Sequence, residues 1–121
     1  PFSEIKKHKH SWHTHPSISK YYPSTTDLWK NFKYKQETMI IFTRYGMWQI
    51  ECDGKTKYNK IPQEIKYKIK KIEEFFYNNT NRGMNFNEKV VSKYCEEINK
   101  LLISINKSFN IRFIKYKENS T

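Results

Sequence analysis

The side chains best suited to chemistry fall between positions 8 and 27: His8, His10, His13, His15, Ser24 and Asp27. A catalytic zinc site takes three protein ligands from imidazole and carboxylate and keeps a fourth position open. His13, His15 and Asp27 supply such a set, so one Zn2+ ion is expected there. His13 and His15 are separated by one residue and stand where a strand ends at Pro16, which lets both side chains leave the strand tip in the same direction. Ser24, next to the expected metal, offers a hydroxyl that can hydrogen-bond a developing oxyanion. Such a reaction also needs a general base, usually a carboxylate close to the activated water.

Plainer readings compete with this one. Ser24-x-x-Asp27 ahead of an apolar run is an ordinary helix N-terminus, with a favourable charge on the helix dipole. The two roles are compatible, because a ligand aspartate can sit in a first helical turn. By strand parity His8, His10 and Trp12 share one face while His13 and His15 share the other, so His8 and His10 are expected at the surface. Trp12, Trp29 and Trp48 are expected in the core. Paired histidines at a strand end also serve metal-dependent phosphoesterases and amidohydrolases, but those enzymes draw their ligands from many strands of a barrel, and 121 residues are too few for one.

His13-Thr14-His15-Pro16 followed by Pro23-Ser-Thr-Thr-Asp27 resembles the H-x-H-P, S-x-x-D motif of the JAMM (MPN-domain) metallopeptidases. The resemblance covers residues 13–27. It implies a JAMM/cytidine-deaminase-like fold, with His13, His15 and Asp27 as zinc ligands and Ser24 supporting the tetrahedral intermediate. It further implies hydrolysis of isopeptide or peptide bonds, often removal of ubiquitin or a ubiquitin-like modifier, so a ubiquitin-like or other protein substrate is the expected partner. Trp48 after Gly46 is loosely similar to viral and bacterial members. Two departures stand out. Eight residues, 16–23, separate histidine from serine where the family usually has seven. The family's catalytic glutamate comes from a strand well upstream, whereas Glu4 is the sole acidic residue before His13 and its strand runs straight into the histidines. The expectation is therefore a chain lacking its first strand and helix, with the base encoded before Pro1. The alternative is a catalytically inactive scaffold of the same fold, acting through protein contacts.

The positioning elements follow from periodicity. Phe2 to Lys9 reads as a polar lead into the first strand, and residues from Ser17 to Pro23 as a loop crossing the surface. Ser24 caps a short helix carrying Leu28, Trp29 and Phe32 and ending near Tyr34. Glu37 to Thr43 suits a buried strand, and Met47 to Cys52, with alternating Trp48, Ile50 and Cys52, pairs back on it as a hairpin. Pro62 stands one residue into a helix with Ile61, Ile65, Ile69, Ile72 and Phe76 at three- and four-residue steps. Gly83 stops it, and Asn87 caps a second helix bearing Val91, Tyr94, Cys95, Ile98, Leu101, Leu102 and Ile105. Phe109 to Lys117 alternates as a last strand. The order is β-α-β-β-α-α-β, an α/β (α+β) domain over residues 1–121 with a small mixed sheet flanked by helices.

Bulk composition sets the remaining bounds. Hydrophobic residues make up 36% and aromatic residues 17%, so the core relies on aromatic packing. Cys52 and Cys95 lie far apart without a CxxC partner, which argues against a disulfide framework and a cysteine zinc site and points to a reducing, cytoplasmic setting. No run is apolar enough to span a bilayer, and the basic opening lacks the apolar stretch of a signal peptide. The net charge of +11 admits nucleic acid as a partner. A solvated basic surface, in a chain whose Asn, Ile and Tyr suggest AT-rich coding, explains that charge more simply, and no basic patch interleaved with aromatics is visible in the sequence.

Overall fold

The computed structural model describes residues 9–16 and 20–117. Glu4, His8 and most of the lead into the first strand lie outside the described residues, as do Ser17 and Ser19. The elements are β1 (His10–Thr14), α1 (Thr25–Lys33), β2 (Thr38–Phe42), β3 (Gly46–Glu51), a 3-10 turn (Tyr58–Lys60), α2 (Gln63–Asn79), α3 (Glu88–Ile103) and β4 (Asn110–Lys115). They form a mixed α+β fold in the expected order, with a four-stranded sheet arranged β1-β2-β3-β4.

β1 runs parallel to β2, with Trp12 beside Ile40 and His13 beside Ile41. A parallel pair needs a crossover, and α1 supplies it. The β2–β3 and β3–β4 pairs are antiparallel. Gly46 is required at the hairpin because a Cβ there would lie 2.3 Å from the Ile114 carbonyl oxygen.

Period-two alternation then sorts the side chains. Met39, Ile41, Trp48, Ile50 and Ile111 are buried on one face, which all three helices cover. Phe76 of α2 and Tyr94 of α3 pack edge-on to each other at 5.0 Å, and Tyr94 meets Trp48 at 5.3 Å. Asn99 of α3 donates to the Ile111 carbonyl at 3.0 Å and accepts from its N–H at 2.8 Å, which satisfies the backbone of Ile111 on the outer edge of β4.

Four expectations need correction. Trp12 is 69% exposed rather than part of the core, because even-numbered positions of β1 lie on the opposite sheet face with Phe42 and Ile114. Residues 37–43 are buried on one side only: Met39 and Ile41 are inside, while Phe42 is 37% exposed. Tyr21, Tyr22 and Pro23 do not cross the surface. Both tyrosines are almost fully buried, Tyr22 lying 4.3 Å from Phe76, centroid to centroid. Pro62 is the N-cap of α2 rather than its first helical residue, since its ψ of 143° is still extended. The stop after α2 is built from Asn81, Arg82 and Gly83, all with positive φ, and a Cβ on Gly83 would stand 2.6 Å from the Tyr22 ring.

Candidate metal centre

His13 and His15 leave the end of β1 on the helix-covered face. Pairing continues one residue past the strand, the His15 N–H donating to the Phe42 carbonyl at 2.8 Å, so both rings project from a backbone that the ladder holds. Their Nε2 atoms are 3.2 Å apart. His10, on the other face, is exposed.

Asp27 reaches the same point from the first turn of α1. Ser24 is the N-cap: its Oγ accepts the Asp27 N–H at 3.1 Å, and the Asp27 carboxylate accepts the Ser24 N–H at 3.0 Å through Oδ2. This reciprocal capping box fixes the direction of the carboxylate. Asp27 Oδ1 lies 3.4 Å from His13 Nε2 and Oδ2 lies 3.3 Å from His15 Nε2. The capping role of Asp27 is as the sequence indicates, and the structure brings His13, His15 and Asp27 together with Ser24 at the adjoining cap.

A metal fits this geometry. Ligand atoms bound tetrahedrally to zinc at about 2.0–2.1 Å stand about 3.3 Å from one another. His13 and His15 approach that spacing at 3.2 Å, each Nε2 has a different Asp27 oxygen at 3.3–3.4 Å, and with one ligand atom taken from each residue the three lie within 4.8 Å of one another. Donor chemistry points the same way. His15 Nδ1 lies 3.0 Å from the Lys20 carbonyl oxygen, which can only accept, so Nδ1 carries the proton. In a neutral ring Nε2 then presents its lone pair to a carboxylate oxygen and to a second imidazole, an arrangement that a cation between them satisfies. The His-His-Asp group could therefore hold a metal ion, and among the described residues no second carboxylate joins it.

Asp27 is 6% exposed. Burial alone would push its carboxyl up; without a metal, N–H donation from the His13 and His15 rings and from the Ser24 backbone together outweighs that and holds it well below the usual carboxylate range, and a bound cation would take the place of those ring protons. Lys30 adds a positive charge 3.9 Å from Oδ1.

Further positioning residues escaped the sequence reading. Glu73 of α2 accepts the Thr25 N–H at 2.7 Å, so a carboxylate from another helix satisfies the first turn that carries Asp27. Trp48 Nε1 donates to the Tyr21 carbonyl at 2.6 Å, and Tyr94 Oη donates to the Pro23 carbonyl at 3.3 Å, which pins the segment leading into Ser24. Thr25 and Glu73 are 48 positions apart, and no local pattern signals such a contact.

Cys52 and Cys95 are both free thiols. No helix among the described residues is long and apolar enough to cross a membrane. Comparison with protein-family models, with curated proteins and with solved structures returns no match.

Proposed function

We propose that this chain is a JAMM-type zinc metallopeptidase domain that hydrolyses isopeptide or peptide bonds of a protein substrate, in the manner of a deubiquitinase. The observation that carries the reading is the convergence of His13, His15 and Asp27, each imidazole Nε2 within 3.4 Å of an Asp27 oxygen and the two Nε2 atoms 3.2 Å apart, with Ser24 at the adjoining helix cap. The parallel β1–β2 pair bridged by α1 is compatible with a JAMM/cytidine-deaminase-like fold.

Held by His13, His15 and Asp27, zinc would supply Lewis acidity and would lower the pKa of water toward neutrality. The chain's own residues do the rest. His13 and His15 offer neutral nitrogens, and the Lys20 carbonyl keeps the His15 tautomer fixed. Asp27 adds one negative charge, which leaves the group cationic overall with a divalent ion and suited to polarising an amide carbonyl. Ser24 Oγ accepts from the Asp27 N–H, and its own O–H remains available to donate to an oxyanion. Among the described residues no second carboxylate joins the group to take the proton from water and return it to the leaving amine. The two free cysteines agree with a reducing compartment.

The test is cleavage of ubiquitin chains and model isopeptides by the full-length protein, with and without a chelator. Chelator-sensitive turnover supports the enzyme. Bound zinc without turnover transfers the reading to the inactive scaffold, and neither zinc nor turnover removes both.

A further inference from the structure

We propose that the lysines gathered around Tyr58 form a docking surface for an acidic stretch of the polypeptide on which the domain acts. The inference rests on the peptidase reading for the identity of the partner as substrate, and on separate residues for the surface itself.

The surface is assembled from three parts of the chain. Lys33 at the end of α1 places its Nζ 4.8 Å from the centre of the Tyr58 ring, and Lys66 of α2 places its own 3.9 Å away. Lys35 and Lys57 line the same shallow depression. Lys60 closes the 3-10 turn that carries Tyr58. The ring is set in place by edge contact with Trp29 at 5.8 Å.

Convergence on one ring, more than the lack of carboxylate partners, distinguishes this patch, since Lys89, Lys93 and Lys100 of α3 also pair with no carboxylate of a described residue. Farther along α2, Lys68, Lys70 and Lys71 are each neutralised by a glutamate at 3.1–3.4 Å. None of Lys33, Lys35, Lys57, Lys60 and Lys66 pairs with a carboxylate of any described residue. Two ammonium groups held against one ring repel each other, and an anion placed between them relieves that repulsion.

The chemistry favours an acidic polypeptide over nucleic acid. Single-stranded nucleic acid gains from a free aromatic face on which a base stacks. Tyr58 has ammonium groups of Lys33 and Lys66 over its ring and Trp29 against it, so it serves as a platform for lysines rather than for bases. Position completes the argument: α1 starts at the candidate metal centre and ends at this patch, nine residues or about 13 Å away, a span that one bound substrate covers.

The experiment measures fluorescence anisotropy of a short labelled oligoglutamate peptide, with oligoglutamine and with oligothymidylate of equal charge as comparators. The proteins are wild type, Lys33→Glu/Lys57→Glu/Lys66→Glu, the same three positions changed to Gln, and Lys89→Glu/Lys93→Glu/Lys100→Glu on α3, each checked by circular dichroism. The account expects oligoglutamate binding that weakens about tenfold or more in the first triple variant, less in the Gln variant, and little in the α3 control. Equal loss in patch and control variants would overturn it, because binding would then follow net charge alone. Tighter binding of oligothymidylate, lost through the same patch, would overturn it in favour of nucleic acid. Zinc content is measured in parallel. If wild type binds oligoglutamate through the patch but holds no zinc, the peptidase reading falls and the acidic-polypeptide surface stands.

Discussion

His15 is constrained at both ring nitrogens, by the Lys20 carbonyl on one side and by His13 and Asp27 on the other, whereas His13 is more open, with a third of its side chain exposed. Either alanine leaves two ligands, but His15→Ala removes the ring that is fixed in direction and tautomer, so it should abolish zinc binding, while His13→Ala should weaken it less. Ser24→Ala separates two jobs. It should retain zinc yet lower stability by about 1 kcal/mol through loss of the cap, and slow turnover by about a hundredfold through loss of the oxyanion donor. Urea titration and single-turnover kinetics check the two effects. Glu73 acts at one remove, through Thr25. Glu73→Ala should weaken zinc affinity by about tenfold or more, and Glu73→Gln, which keeps an acceptor for the Thr25 N–H, should recover most of it. At this scale the group that could hold a metal was legible, because its residue types and spacing are local. Glu73 was not, because its role exists only once α1 and α2 are packed.

Among the elements, periodicity revealed order and kind but not which side of a strand is covered. Alternation put Trp12 and His13 on opposite faces correctly; it could not say that helices cover only the face of His13. Trp48→Ala, at a fully buried position, should cost about 3–5 kcal/mol, whereas Trp12→Ser should cost less than about 1 kcal/mol by thermal or chemical unfolding. The segment 20–23 looked like a surface loop because it is bracketed by prolines and serines. Its tyrosines instead fill the space between Gly83 and Phe76. Gly83→Ala, which meets both a positive φ and the Tyr22 ring, should destabilise the fold by about 2 kcal/mol. Zinc affinity should fall with it, because Tyr22 leads directly into Ser24.

For the molecule as a whole, the aromatic core foreseen from composition brings a pH liability that composition did not reveal. Burial holds Tyr21 up at about 12, and raises Tyr22 and Tyr94 likewise; the Cys95 thiol is pushed up to about 12. Each group stays protonated in the folded chain after its unfolded counterpart, at about 10 for tyrosine and about 8.5 for cysteine, has begun to ionise. Their contribution is thus complete below those unfolded values and is lost as pH rises toward 12, so tyrosinate absorbance should appear together with unfolding rather than before it. Asp27 has the opposite sign. Its lowered pKa contributes stability above about pH 4 that is lost as pH falls below it. The basic patch around Tyr58 was also invisible in the sequence, because residues 33–35, 57–60 and 66 meet only in three dimensions. The proposed activity rests on the junction of β1 and α1, and metal analysis of the purified protein tests it most directly. The account predicts about one zinc per chain, lost in both His15→Ala and Asp27→Ala while circular dichroism still reports a folded protein; a zinc content unchanged in both variants would contradict it.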